Sequence, residues 1–255
     1  AQRGCGIFRS LAGVVISRCS STYRSSSAIV SHDCAQAYGP TMLQLRDITI
    51  SIGGKPPLVA GLSVDIAAGS MRLIQGASGS GKSTLLSVIS GTTSRAVHAT
   101  GDVLLNGRLV SALVAEDRRI GLMYQDPLLF PHMSVGDNLA FALSPAHRRD
   151  RQQRVAAALE VAGLPDFADR DPSTLSGGQA SRIALMRTLL AEPDALLMDE
   201  AFSALDPELR QGFGGFVRAQ IRDRGIPALL VSHDAADAAF ADAGDYSYLT
   251  GLPTR

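Results

Sequence analysis

Tryptophan is absent from this chain, and aromatic residues make up only 5% of its 255 positions. Such scarcity disfavours the stacked-base platforms that hold single-stranded nucleic acid. Net charge is absent too, because 24 Lys and Arg balance 24 Asp and Glu. A neutral chain has no bulk attraction for DNA, RNA or anionic lipid, so no nucleic acid is expected among its partners. Cysteine is confined to Cys5, Cys19 and Cys34. A body without thiols excludes a disulfide framework, a zinc knuckle or a thiol nucleophile there. No apolar run approaches the ~20 residues that span a bilayer. If the protein serves a membrane process, another chain supplies the membrane part.

What is present is ordinary for a globular domain: 45% hydrophobic and 19% charged residues. The length suits one large domain, or one domain plus an appendage. Residues 1–41 stand apart. Arg3, Arg9, Arg18 and Arg24 precede the first acid, Asp33, in a segment rich in Ser and small residues. Its composition resembles an organellar transit peptide; the favoured expectation is a disordered or non-native leader.

From Met42 the pattern becomes regular. Leu43, Leu45, Ile48, Ile50 and Ile52 suggest a strand, Gly53 to Pro57 a turn, and Leu62, Val64 and Ile66 a second strand. Residues 71–75 read as a third strand that runs through a glycine-rich loop into a helix over 83–89. Residues 103–105 and 120–124 are further strands. Helical spacing dominates from Val135 to Ala191, notably 151–161 and 182–190. Residues 195–198 and 228–231 are short, wholly apolar strands on either side of a helix over 207–222. Buried strands alternating with helices predict an α/β core with a mainly parallel sheet.

The loop Gly76-Ala77-Ser78-Gly79-Ser80-Gly81-Lys82-Ser83-Thr84 fits G-x-x-x-x-G-K-S/T. Its glycines let successive N–H groups turn inward onto phosphate oxygens, and the following helix aims its positive end at the same anion. Lys82 neutralises phosphate charge, and the Ser83 hydroxyl suits Mg²⁺. A random match is roughly a one-in-a-hundred event in a chain of this length. The strand before the loop and the helix after it supply the required context. The apolar strand 195–198 then ends in Asp199-Glu200. Charge at the end of a buried strand is costly without a partner. Beside a phosphate loop that partner is Mg²⁺ held by Asp199, and Glu200 could polarise the attacking water.

Leu175-Ser176-Gly177-Gly178-Gln179 lies between these two motifs, just before a helix. It resembles the signature segment of ATP-binding cassette (ABC) proteins. Tyr124-Gln125-Asp126, Ser203-Ala204-Leu205-Asp206 and Val231-Ser232-His233-Asp234 fall where that family has its Q-loop, D-loop and switch histidine. Ser232, His233 and Asp234 do not form a hydrolase triad, because neighbouring residues of a strand point to opposite faces. The resemblance runs from Met42 to about Gly251. It is closest to the single-cassette subunits of bacterial solute importers, for which Leu129-Phe130-Pro131-His132-Met133-Ser134-Val135 is typical, and within them to the YnjD-type branch.

That resemblance implies a P-loop NTPase core, an N-terminal antiparallel β subdomain and an inserted α-helical subdomain at about 127–190, all within one domain over 42–255. It implies ATP and Mg²⁺, with Lys82, Glu200, His233 and Gln125 as catalytic residues and Ser83, Gln125 and Asp199 around the metal. The nucleotide is expected at residues 76–84, near Ile52 and Asp206, and against Ser176, Gly177, Gly178 and Gln179 of a second ATPase subunit in a homodimer. An integral-membrane permease is the implied partner, with a solute-binding protein beyond it, at the cytoplasmic face of the inner membrane. Ile52 stands where relatives place an aromatic that stacks on adenine, so apolar contact is expected to replace stacking. Ala201 stands where Pro is usual, and Ala180 and Ser181 follow the signature where polar or basic residues are common. A non-transport ABC ATPase of DNA repair or translation is the alternative; it usually carries a long coiled coil or two cassettes, neither of which is visible.

Overall fold

The computed structural model describes residues 42–242 and 246–249. The expected leader and all three cysteines lie outside the described residues. In chain order the elements are β1 (Met42–Ile52), β2 (Val59–Ala67), β3 (Met71–Gly76), α1 (Lys82–Ser90), β4 (Val97–Leu105), β5 (Arg108–Leu109), α2 (Ala115–Arg118) and β6 (Ile120–Met123). There follow α3 (Val135–Phe141), α4 (Arg151–Ala162), α5 (Gly177–Leu190), β7 (Ala195–Asp199), α6 (Pro207–Arg224), β8 (Ala228–Ser232) and β9 (Tyr246–Leu249).

Two sheets result. One is antiparallel, in the order β2-β1-β4-β5, and the other is parallel, in the order β6-β7-β8-β3-β9. Successive residues of a strand face opposite sides, and the parallel strands use both. Ile74, Leu197, Leu229 and Val231 face α1 (Leu85, Leu86, Ile89) and, beyond it, Leu43, Leu45, Ile48 and Ile50 of β1. Leu73, Leu196, Met198 and Leu230 face the opposite way, into a cluster shared with α3, α4, α5 and α6. Helix α1 therefore lies between the two sheets. The two-sided burial is why β7 and β8 read as unbroken apolar runs.

The alternation in β1 steps by two from Leu43 to Leu45, then by three to Ile48. The extra residue is a bulge: the pairing with β2 shifts between Leu45 and Ile48, and Asp47 sits at φ 51°. Opposite it, Gly101 of β4 has φ 92°, and a Cβ there would come within 2.5 Å of the carbonyl oxygens of Arg46 and Asp47. Gly101→Ala is expected to cost roughly 1–3 kcal/mol or more, since it forces both a left-handed backbone and a clash with main chain. Gly107→Ala is the comparison: φ is also positive but a Cβ meets nothing within 4 Å. Thermal melts of the two variants should differ, with Gly101→Ala the lower; equal melts would refute the bulge argument.

Several boundaries differ from those read in the sequence. Helix α5 starts at Gly177, five residues before the first apolar periodicity. A capping box starts it: Gln179 N–H donates to Ser176 Oγ (3.3 Å), and Ser176 N–H donates to Gln179 Oε1 (2.9 Å). Strand β4 begins at Val97 rather than 103; residues 98–102 are exposed and carry no alternation, so only pairing with β1 makes them a strand. Elements β5, α2 and β9 had no signal in the apolar pattern. Helix α6 begins as expected, with Asp206 accepting from Glu208 and Leu209 N–H groups and Pro207 at its first position.

Candidate ATP-binding and hydrolysis site

In the parallel sheet, β3, β7 and β8 end at the same level: Gln75 is opposite Ser232, and Asp199 is opposite Val231. The chain segments that leave these carboxyl ends carry the site, as is general in open α/β sheets. Beyond β3 the phosphate loop turns through Gly79 (φ 77°) and Gly81 (φ 95°), which caps α1 in the left-handed region that glycine adopts without strain. Lys82 is 5% exposed and donates to the Gly76 and Ala77 carbonyls, at 2.9 and 3.0 Å. Its Nζ also lies 3.6 Å from Glu200 Oε1. The loop thus already points its lysine inward across the mouth of the cradle.

Glu200 follows β7 with φ 49°, an uncommon value for a side chain this size. Its N–H donates to Val231 O at 2.9 Å, and its carbonyl accepts from the N–H and hydroxyl of Ser203 at 3.0 and 2.8 Å. These bonds over-determine the bend and place the carboxylate between Lys82 and His233, whose Nδ1 lies 3.0 Å from Glu200 Oε2. Burial pushes the Asp199 carboxyl up, partly offset by a hydrogen bond from Ser83 and the charge of Lys82, and reinforced by repulsion from Glu200. Its Oδ1 is buried with no hydrogen-bond partner among the described residues.

A cavity of about 380 Å³ opens beside these groups, lined by Ser83, Gln125, Asp199 and Glu200 together with Tyr124 and Leu128. An orphaned buried carboxylate oxygen, a hydroxyl and a side-chain amide converge there. Hard oxygen donors of this kind suit Mg²⁺, which needs few protein ligands when substrate phosphates and water supply the rest. Among the described residues no group of three or more His, Cys, Asp or Glu gathers as a metal site, here or elsewhere.

The family model described as ABC transporter matches residues 59–203. That stretch begins ahead of the phosphate loop and ends past Glu200. The chain belongs to the ABC transporter family. It is 40% identical over 198 residues to the ABC transporter ATP-binding protein YnjD of Escherichia coli K12, covering 77% of this chain and 90% of that protein. It is 39% identical over 191 residues to the sulfate/thiosulfate import ATP-binding protein CysA of Salmonella typhi, and 40% over 192 residues to that of Escherichia coli K12. Those two matches cover 72% of this chain and 52% of each CysA protein, so it spans about half their length. The protein is an ATP-binding and ATP-hydrolysing subunit that energises transport. No helix among the described residues is long and apolar enough to cross a membrane.

This ABC ATPase thus gathers the phosphate loop, Gln125, Asp199, Glu200 and His233 at one mouth. Other expected site residues share no hydrogen bond or ion pair with it among the described residues. Ser176 to Gln179 share no hydrogen bond or ion pair with the phosphate loop among the described residues; Ser176 and Gly177 are exposed at the start of α5. Asp206 spends its carboxylate capping α6. Ile52 is half-buried at the end of β1, and the turn after it returns through Leu58, whose Cβ would meet a Cβ on Gly81 at 3.1 Å. Leu58 is therefore an apolar neighbour of the cradle that periodicity could not single out.

A second ring of polar residues also escaped sequence reasoning. Asn138, fully buried on α3, bonds the Phe130, Met133 and Ser134 carbonyls and the Phe130 N–H, and Arg187 of α5 bonds the Pro127 and Leu128 carbonyls. Together they pin the segment that follows Gln125. Behind His233, Ser232 donates to the fully buried Asp237, and Arg210 of α6 bonds Asp234. Burial pushes the Asp237 carboxyl up against the opposing pull of Ser232 and Arg210. The Ala236 N–H and the Arg210 guanidinium hold Asp234 below the usual carboxylate range. A buried acid in an otherwise apolar segment such as Asp237 is the one signal that could have marked this ring in advance.

Proposed function

We propose that two copies of this ATPase close head to tail on two ATP molecules, and that closure and release drive a separate membrane permease. The carrying observation is the unspent anion site at α5. The first-turn N–H groups of Gly177 and Gly178 have no partner in the helix ladder, and the dipole favours negative charge there. Ser176 and Gly177 are exposed and make no bond to their own phosphate loop. Meanwhile the mouth around Glu200 lies open, with His233 53% exposed. The second copy's Ser176–Gln179 segment would close that mouth over the γ-phosphate.

The geometry supports the following roles. Gly76 to Thr84 cradle the phosphates, and Lys82 exchanges its carbonyl and Glu200 partners for phosphate oxygens. Ser83, Asp199 and Gln125 would hold Mg²⁺, which would neutralise phosphate charge when bound. Glu200 accepts the proton of the attacking water, and His233 keeps the Glu200 carboxylate in place beside the γ-phosphate. Asp206 lies at the facing loop of the dimer. Ile52 with Leu58 gives the base an apolar side contact without stacking, so discrimination among purines is weak. Phe141, 60% exposed on α3, rims a groove of about 620 Å³ between α3 and α4 that includes Val155 and Leu159. A short helix of the permease would seat there, which holds the ATPase at the cytoplasmic face of the membrane during import of a solute delivered by a binding protein.

Ser176→Arg tests the closure. A bulky cation at the helix end removes the cap and fills the anion site. The variant is expected to bind ATP as a monomer, to form no ATP-dependent dimer by size-exclusion chromatography, and to lose most of its turnover. Dimers and turnover at wild-type level would overturn the head-to-tail reading.

A further inference from the structure

Hydrolysis needs His233 held against Glu200, yet His233 is more than half exposed, and a single contact of 3.0 Å reaches Glu200. What fixes the loop that carries it is therefore a question of its neighbours. We propose that Arg210 is a positioning residue for hydrolysis: from α6 it anchors the loop after β8, and so sets His233 against Glu200. The inference rests on the roles given above to His233 and Glu200.

The loop is folded on itself and then tied down. Ser232 Oγ donates to Asp237 Oδ2 at 2.5 Å and accepts from the Asp234 N–H at 3.0 Å. Asp234 Oδ1 accepts from the Ala236 N–H at 2.9 Å. These bonds make a compact turn directly after His233, with two acids three residues apart. Arg210 is the cation that meets both. Its Nη1 lies 2.5 Å from Asp234 Oδ2, and its Nε lies 2.9 Å from Asp237 Oδ1. The second approach is a contact of charges without an aligned N–H, because Nε and Nη2 of Arg210 and Oδ1 of Asp237 find no hydrogen-bond partner among the described residues. A guanidinium 14% exposed against a carboxylate that is fully buried is an interaction whose loss leaves a buried charge unpaired.

The other contacts of the loop lead back to the nucleotide site. Gln75, one residue before the phosphate loop, donates from Nε2 to the Asp234 carbonyl at 2.7 Å. Phe240, at the end of the loop, packs edge-on against Phe202 with ring centroids 4.9 Å apart, and Phe202 is two residues beyond Glu200. The loop is thus clamped between the strand that feeds the phosphate cradle, the segment that follows Glu200, and α6. Arg218 of α6 also reaches the loop, at the Ala239 carbonyl (3.5 Å), but Arg210 is the charge that meets both acids beside His233. The preceding residue, Leu209, lies 3.4 Å from where a Cβ on Gly178 would stand. One turn of α6 therefore touches both the signature segment and the anchor of His233.

The test compares wild type, Arg210→Gln, Arg210→Lys, Asp234→Asn, Glu200→Gln, and Arg210→Gln in a His233→Ala background. Steady-state phosphate release gives kcat and KM for ATP, a fluorescent ATP analogue gives affinity, and thermal melts give the folded fraction. Arg210→Gln should lower kcat per folded protein by about 10-fold with KM and affinity within twofold, because a displaced catalytic group costs rate and not ground-state binding. Arg210→Lys should recover part of that loss, since a point charge can meet one carboxylate but not span both. In the His233→Ala background Arg210→Gln should add nothing, because residues acting through one another are non-additive. Unchanged kcat in Arg210→Gln, or a full further loss in the His233→Ala background, would overturn the proposal. If Arg210→Gln does not fold, Asp234→Asn decides: a severalfold lower kcat at unchanged KM supports the anchor, and wild-type kcat refutes it. Wild-type turnover in Glu200→Gln would overturn the reading of the site itself, whereas an inactive Glu200→Gln beside fully active Arg210 variants would overturn this inference alone.

Discussion

Glu200→Gln is expected to lower the rate of ATP hydrolysis by about 10²–10⁴-fold, the usual contribution of a positioned general base. The substitution keeps the shape of the side chain and removes only its basicity and charge. The backbone bonds that fix the bend, from Glu200 N–H to Val231 O and from Ser203 to the Glu200 carbonyl, do not involve the side chain, so the loop should hold. Binding of ATP should be retained or tightened, because a neutral amide removes repulsion with the γ-phosphate and frees Lys82 from its 3.6 Å contact with the carboxylate. Phosphate release in the steady state measures the first effect. Equilibrium titration with ATP and size-exclusion chromatography measure the second, with an ATP-bound dimer accumulating. Unchanged turnover would remove Glu200 from the mechanism.

Asp199→Asn should separate stability from activity. The folded protein raises this carboxyl above its ordinary value of 3.8, with burial as the largest cause. A group whose folded-state pKa is raised binds its proton more tightly when folded. Above the unfolded value the charged form therefore costs the folded state stability, a cost that grows until the pH passes the raised folded value, and pH 7 lies well above the unfolded one. Replacing the carboxylate by an amide removes it. The metal-free variant is expected to melt higher than wild type at pH 7, by about 2–4 °C for each kcal/mol relieved in a domain this size. At pH 3 the difference should shrink, because wild-type Asp199 is then largely protonated. Mg²⁺-dependent hydrolysis should be lost, since an amide is a poor ligand for a hard dication. Melts in EDTA and phosphate release with Mg²⁺ check the two halves. A lower melting temperature would show that the bond from Ser83 and the attraction of Lys82 outweigh desolvation.

The phosphate loop, Asp199, Glu200 and the signature segment were legible because their chemistry is local. Gly79, Gly81, Lys82 and Ser83 act within one strand–loop–helix unit, and the capping box at Ser176 spans four residues. The two apolar strands were equally plain, since burial on both faces leaves a continuous hydrophobic run. Strand β4 was half hidden because its exposed part owes its conformation to pairing with β1. Helix α5 was read five residues short because its first turn is held by a cap and carries no apolar stripe.

By itself, then, the sequence determined that residues 76–84 carry a phosphate-loop pattern, that an acidic pair ends a buried strand, and that the motifs follow ABC order. Tertiary structure decided what those motifs touch. The register of three parallel strands brings Lys82, Glu200 and His233 to one mouth, and it leaves Ser176 exposed at the start of α5, bonded only within its own cap among the described residues. Only the folded chain shows that Arg210, remote from His233 in sequence, holds the acids beside it. The physical reason is common to all of these: a charge or a hydrogen bond takes its strength from the distance and burial of its partner, and pairing across a sheet sets both for residues far apart in the chain.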